Sequence, residues 1–151
     1  SRELSGYLNL YNQKFSEIIV QPLVMGVEYT VSVTVNNLNQ IIGIVPKRII
    51  VKKGITRAAI TEKNSLIEKV CRLIVEKMKP CGPFNVQLII NKNRPYIFEI
   101  NPRLSTTTVL TDRSSFNEVE AYINWYDKNI TSEIPFKEGI KLFRYDDNFF
   151  I

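Results

Sequence analysis

Histidine is absent from the 151 residues. Its absence excludes Ser-His-Asp triads, Cys-His pairs and imidazole-bound zinc. Cysteine is nearly as scarce. Cys71 and Cys81 are too few for a metal cage or a disulfide framework, and Cys71 falls among apolar residues at helical spacing, as a buried thiol would. Six glycines and seven prolines, without a period, exclude collagen-like repeats and low-complexity disorder. No apolar run approaches the ~20 residues of a membrane-spanning helix, and no secretory segment opens the sequence. These absences predict a protein of the reducing cytoplasm with no membrane partner.

What is present is ordinary for a globular chain: 44% hydrophobic and 23% charged residues. The length suits one domain, which at this size buries roughly 68–70% of the surface its unfolded chain exposes. A net charge of +5 suits an anionic ligand. The basic residues are dispersed, however, with Lys52-Lys53 and Lys77/Lys79 as the only small clusters. Aromatic residues do not interleave with them as stacking platforms require, which disfavours nucleic acid as a partner. A non-catalytic nucleotide- or nucleic acid-binding module stays open as the alternative to an enzyme.

The periodicities predict an α+β fold, an antiparallel sheet with packed helices. Leu4, Leu8, Tyr11 and Phe15 suit a short amphipathic helix, and Glu17 to Leu23 reads as a strand closing on Pro22, with a turn at Gly26. Glu28 to Asn37 alternates and is β-branched, a second strand. Asn36 to Asn39 turns the chain into a third, Gln40 to Val51, where Pro46 predicts a bulge or an edge position. Ile55 to Thr61 follows as a short strand. Asn64 caps a helix carried by Ile67, Val70, Cys71, Ile74 and Met78, which stops at Pro80 and Gly82. Asn85–Ile90 and Tyr96–Asn101 form a hairpin across Asn91 to Arg94. A helix over Asn117 to Tyr126 and a strand over Ile140 to Tyr145 complete the pattern.

Chemistry concentrates between Gly82 and Leu110. If Ile90 pairs with Tyr96, Gln87 stands opposite Glu99 and Asn85 opposite Asn101. Gln87, Glu99 and Asn101 then share one face, while Val86, Leu88, Ile90, Tyr96, Phe98 and Ile100 form a core face behind them. One carboxylate and two amide oxygens make a donor set of the kind that holds Mg²⁺ alongside substrate phosphates. Arg103 offers a fork to a phosphate oxygen. From geometry alone an ordinary solvent-facing hairpin reads the same way.

The segments Asn85-Val86-Gln87-Leu88 and Glu99-Ile100-Asn101-Pro102-Arg103-Leu104-Ser105 resemble the metal-binding hairpin of ATP-grasp ligases, most of all the carbamoyl-phosphate synthetase large chain and its smaller relatives. The resemblance implies that Gln87, Glu99 and Asn101 hold one or two Mg²⁺ (or Mn²⁺) ions on the nucleotide phosphates. It implies that Arg103 is catalytic, steadying the transferring phosphoryl group. Upstream, Val20 to Val31 is similar to the family's adenine hinge, in which Gln21, Pro22 and Leu23 contact adenine and Glu28 accepts from the ribose hydroxyls. Gln21 replaces the commoner Glu. Val45-Pro46-Lys47-Arg48 and Lys52 to Arg57 resemble the strand pair facing acceptor and phosphates, with Arg57 either near an acyl phosphate or in a surface salt bridge. The family's further arginine is Thr106 here, which favours a carboxylate other than that of the carbamoyl-phosphate reaction.

The implied activity is an ATP- and Mg-dependent ligase joining a small-molecule carboxylate to an amine or ammonia through an acyl phosphate, with a homo-oligomer left open. Residues 1–151 then form a single domain, the carboxyl-terminal part of an ATP-grasp enzyme. Its amino-terminal domain and phosphate loop are expected elsewhere, and Ser1-Arg2 is similar to that loop's tail.

Overall fold

The computed structural model describes residues 5–6, 19–128 and 132–145. Six strands and three helices lie among them. The strands are β1 (Val27–Val35), β2 (Ile41–Lys53), β3 (Ile55–Thr61), β4 (Gly82–Asn91), β5 (Arg94–Asn101) and β6 (Lys141–Phe143), and the helices are α1 (Ser65–Met78), α2 (Thr108–Arg113) and α3 (Glu118–Lys128). The strands form one antiparallel sheet in the order β5-β4-β1-β2-β3-β6. The expected α+β architecture is what is found.

β1 sits at the centre and its alternation divides the molecule. Tyr29, Val31, Val33 and Val35 point to one face, where they meet Ile44, Phe84, Val86 and Leu88 beneath α1. That helix forms as its sequence predicts. Asn64 Oδ1 accepts from the amides of Leu66 and Ile67 at 3.1 Å each, and Lys79 ends the helix in the left-handed region at φ 48°. Ile67, Cys71, Ile74 and Val75 are its buried stripe, whereas Met78 is exposed. On the opposite face, α3 packs Ala121 and Trp125, with Phe116, against Ile42 and Val45. It covers one end, α2 lies over the stretch beside it, where Thr111 meets Ser32 and Lys47, and the remainder forms an open cleft.

Three local expectations are corrected. Residues 19–25 lie outside the sheet although Glu17 to Leu23 reads as a strand; Val20 and Leu23 are exposed and Pro22 has no N–H to give a ladder. Pro46 lies neither on an edge nor at a bulge. Its carbonyl accepts from Glu62 N at 3.0 Å, so its missing N–H falls beyond the last β2–β3 pair, Lys47↔Thr61, where nothing is lost. The irregularities of β2 fall later, between Ile49 and Lys52. α2 has no counterpart among the expected elements, because six residues are too few to show a period. The helix expected over residues 4–15 lies almost wholly outside the described residues.

The open face of the sheet is polar even where it is buried. Lys47 is completely enclosed; its ammonium donates to Ser32 Oγ at 2.5 Å and to Thr111 Oγ1 at 2.8 Å. Ser32 Oγ in turn donates to Glu118 Oε1 at 2.6 Å. Burial pushes the Lys47 ammonium down to about 8, with the negative charge of Glu118 opposing the shift.

Two expectations follow. A Cβ at Gly43 would stand 2.5 Å from the Phe116 ring, so Gly43→Ala should destabilise the fold by roughly 1–3 kcal/mol, measured as a lowered urea midpoint. The second concerns pH. An unfolded lysine keeps its proton up to about 10.5, so from pH 8 upward the unfolded chain binds more protons at this position than the folded one. Stability from Lys47 therefore rises with pH. Cys71 and Tyr29, both pushed up to about 12 chiefly by burial, act in the opposite sense from about pH 9 and 10. Between pH 8 and 9 the wild type should gain roughly 1 kcal/mol relative to Lys47→Met, read by denaturation at the two pH values. Equal pH dependence of the two proteins would show that the ammonium does not titrate there.

Candidate functional site

A cleft of about 280 Å³ opens on the polar face, lined by Glu28 and Thr30 from β1, Lys52 from β2, Thr56 from β3, Gln87 from β4 and Glu99 from β5, with Arg103 and Thr106 from the following loop. Its centre is the β4–β5 hairpin. Gln87 stands opposite Glu99 and Asn85 opposite Asn101, as expected. The Gln87 amide donates to Glu99 Oε2.

The route to that register differs from the expected one. Asn91 pairs with Arg94 around a two-residue turn in which Lys92 and Asn93 have φ of 47° and 59°, the left-handed pair that suits strand twist. Ile90 consequently faces Pro95 rather than Tyr96. The ladder shifts between Gln87 and Leu88, where β5 carries one extra residue, and the shift restores the Gln87↔Glu99 pair. The bulge also alters which side chains are core. Tyr96 and Phe98 are 38% and 39% exposed instead of buried. Phe98 lies on the cleft side, 5.7 Å from the Lys52 ammonium to its ring centroid.

Each predicted site residue can now be placed. Glu28, Gln87, Glu99 and Arg103 share the cleft. Asn101 closes the β5 ladder opposite Asn85, and its Nδ2 is buried without a partner among the described residues. Gln21, Pro22 and Leu23 lie elsewhere. With Val24, Ile89 and Tyr96 to Phe98 they line a separate apolar hollow of about 410 Å³. The two hollows adjoin, since Ile89 is the cross-strand partner of Glu28 and Phe98 precedes Glu99.

Sequence reasoning passed over Lys52 as a site residue. Its ammonium donates to Glu28 Oε1 at 2.5 Å and approaches Gln87 Oε1 at 3.4 Å. The signals for it were the basic pair Lys52-Lys53 and the resemblance of the segment Lys52 to Arg57 to a phosphate-facing strand, neither of which singles out Lys52. Among the described residues no three His, Cys, Asp or Glu side chains cluster tightly enough to hold a metal ion by themselves. A divalent cation here would rely on Glu99 for charge, with amide oxygens from Gln87 and Asn101. The donor chemistry fits, since one carboxylate and two amide side chains offer hard oxygen donors, and the Gln87 oxygen already lies 3.4 Å from the Lys52 ammonium.

The floor of the cleft is made of satisfied polar groups. Thr30 Oγ1 donates to Asn85 Oδ1 at 2.6 Å, both buried. The loop beyond Asn101 turns back on itself through Arg103 N to Asn101 O at 2.8 Å. Arg103 Nη1 donates to Leu104 O at 3.1 Å, and Arg144 grips the same loop through the Thr106 carbonyl. No helix among the described residues is long and apolar enough to cross a membrane.

A family model described as "ATP-grasp in the biosynthetic pathway with Ter operon" matches residues 14–146. No curated protein sequence matches the chain. Its fold is similar to that of a putative ATP-grasp superfamily protein from Archaeoglobus fulgidus, with 18% identity and a TM-score of 0.53 over 69% of this chain and 36% of that one. It is also similar to the phosphoribosylaminoimidazole carboxylase ATPase subunit from Aquifex aeolicus, with 14% identity and a TM-score of 0.57 over 80% of this chain and 45% of that one. The chain thus spans less than half the length of either structure. At such identities the likeness is one of fold. The family match runs from before the apolar hollow to the end of β6 and takes in the whole cleft, and by it the chain belongs to this ATP-grasp family.

Proposed function

We propose that the chain is the carboxyl-terminal part of an ATP-dependent ligase that activates a small-molecule carboxylate as an acyl phosphate and passes the acyl group to an amine or ammonia. The observation that carries this reading is the gathering of Gln87, Glu99, Glu28 and Arg103, from three strands and a loop, into one cleft. Family membership supports the nucleotide. The separate apolar hollow supports a home for its base, between Leu23 and Phe98. Within the superfamily, Gln87 rather than Glu and the run Asn101-Pro102-Arg103-Leu104-Ser105 favour the smaller relatives of the carbamoyl-phosphate synthetase large chain.

In this reading Glu99, Gln87 and Asn101 hold Mg²⁺, which when bound neutralises phosphate charge and orients the phosphoryl group. A carboxylate oxygen attacks the terminal phosphorus, the bridging bond to the leaving diphosphate breaks, and ADP departs. The amine then attacks the acyl carbon and expels phosphate. Arg103 lies on the cleft rim, where its guanidinium can neutralise charge spread over the equatorial oxygens. Lys52 has an anion to exchange for its contact with Glu28 once phosphate arrives. Positioning and charge dominate such a transfer, so a chain without imidazole is under no handicap. In this reading the remaining nucleotide contacts come from a part of the enzyme beyond this chain.

Mn²⁺ titration followed by paramagnetic broadening of backbone amides tests the metal site in the chain as it stands. Broadening should centre on Gln87, Glu99 and Asn101. Glu99→Gln, which removes the formal charge and keeps the size, should weaken binding at least tenfold, or about 1.4 kcal/mol. Gln87→Glu should bind as tightly as wild type or more so. In a version of the enzyme that turns over, Glu99→Gln should lower the rate by two decades or more, about 2.7 kcal/mol of transition-state stabilisation. Wild-type Mn²⁺ affinity in Glu99→Gln would remove the metal from this cleft.

A further inference from the structure

We propose that Lys47 is a positioning residue, which holds the Arg103–Thr107 loop in place over the cleft by fixing α2 from beneath. The proposal rests on the reading of the cleft as a phosphoryl-transfer site for its use, but the contact itself is independent of it.

The path is short and made of named atoms. The Lys47 ammonium is 2.8 Å from Thr111 Oγ1 and 2.5 Å from Ser32 Oγ, so it ties β1 and β2 to α2. The two acceptor hydroxyls lie 3.3 Å apart, and Ser32 passes a 2.6 Å bond on to Glu118 at the start of α3. The charged side chain facing the ammonium is thus Glu118, and the remaining partners from β1 and α2 are neutral hydroxyls. One turn before Thr111 is Thr107, whose carbonyl accepts from Thr111 N at 3.3 Å. Thr107 N donates to Ser105 Oγ at 3.1 Å, and Thr108 Oγ1 donates to Ser105 O at 2.8 Å. Ser105 and Thr106 line the cleft beside Arg103. Lys47 is therefore linked to the cleft wall through one turn of helix and two hydroxyls.

α2 depends on such an anchor. A six-residue helix does not persist on its own propensity, since its nucleation is unfavourable and few bonds follow it. Its N-cap, Thr107, makes no side-chain capping bond, and its buried side chains are Leu110 and Thr111 alone. Leu110 supplies unspecific burial, while Thr111 supplies direction. From the other side Arg144 holds the Thr106 carbonyl. The loop that carries Arg103 is clamped between a buried lysine and a peripheral arginine.

A buried charge network of this kind is an expensive way to fill a core. Apolar residues of like volume often serve stability as well or better. The depressed Lys47 protonation points the same way, because the fold gives up stability at neutral pH to keep the ammonium where it is. What apolar packing cannot supply is a fixed hydrogen-bond direction toward Thr111.

Two variants of the whole chain separate positioning from mere support. Lys47→Met paired with Glu118→Gln removes both charges and should restore most of the stability that Lys47→Met alone loses. Thr111→Val cuts the link without stranding any charge. Amide hydrogen exchange is the readout. In both variants the amides of Thr108, Leu110 and Thr111 should exchange at least tenfold faster, while the β4–β5 ladder keeps its protection. Inorganic phosphate, followed by ³¹P line broadening, should bind at least threefold more weakly to Thr111→Val, while Mn²⁺ affinity stays at the wild-type value. Wild-type exchange in this segment of Thr111→Val would overturn the proposal and leave Lys47 a structural charge. A wild type that binds no phosphate would count against the role of Arg103 in phosphoryl transfer, and the exchange measurement would still decide on Lys47.

Discussion

The structure depends on a strand buried on both faces whose alternate residues are polar. β1 has β2 on one side and β4 on the other, and residues Tyr29 to Val35 are all buried. Tyr29, Val31, Val33 and Val35 meet an apolar core beneath α1. Thr30 and Ser32 point the other way, into surroundings where an unpaired hydroxyl costs about as much as a lost hydrogen bond. Their partners are what organise that side of the molecule. Thr30 takes Asn85, which faces Asn101 across the hairpin. Ser32 takes Glu118 and Lys47, which bring in α3 and α2. The polar half of one strand thus recruits both the β4–β5 hairpin and the loop bearing Arg103.

How much of this was legible follows from the range of each interaction. Strand β1, helix α1 and the Gln87↔Glu99 pair depend on period, capping and alternation, all local properties, and they could be read directly. The hairpin is the instructive case. A longer turn with an even ladder and a two-residue turn with one bulge give the same register at Gln87, so the Gln87↔Glu99 pair is reached by a route whose two offsets cancel. The offsets do not cancel beyond the bulge, and Tyr96 and Phe98 were assigned to the wrong environment for that reason. Pro46 misled because its local rule concerns a missing N–H, and whether that matters depends on where the neighbouring strand ends. Lys47 was illegible altogether. Nothing in Val45-Pro46-Lys47-Arg48 reveals that one basic side chain is enclosed and the next, Arg48, reaches out to pair with Glu62.

The cleft has an electrical axis that the linear sequence conceals. Glu28 and Glu99 come from β1 and β5, on the hairpin side, while Lys52 and Arg103 close the cleft from β2 and the loop. A nucleotide with its cation, bound as proposed, would find carboxylate and amide oxygens on one wall and cations on the other. The two walls satisfy each other through Lys52 and Glu28. That pair is partly solvent-accessible and contributes little stability, so under the proposed function it exchanges for phosphate contacts at small cost.

These features also explain how a site without imidazole can be tuned. In the proposed phosphoryl transfer to a carboxylate, proton transfer is not limiting; the geometry of opposing charges is. Geometry of that kind is only as good as the elements beneath it, and a loop such as Asn101–Thr107 has little rigidity of its own. Here it borrows rigidity from the sheet. Asn101 belongs to the β5 ladder, Arg103 N is tied back to Asn101 O, and Thr107 begins a helix that Lys47 holds from below. The side chain that reaches into the cleft is therefore flanked, within six residues, by one fixed point on a strand and one on a buried ion network. The cost of enclosing that network falls on global stability, while its benefit is local order in a segment that lacks any apolar core of its own.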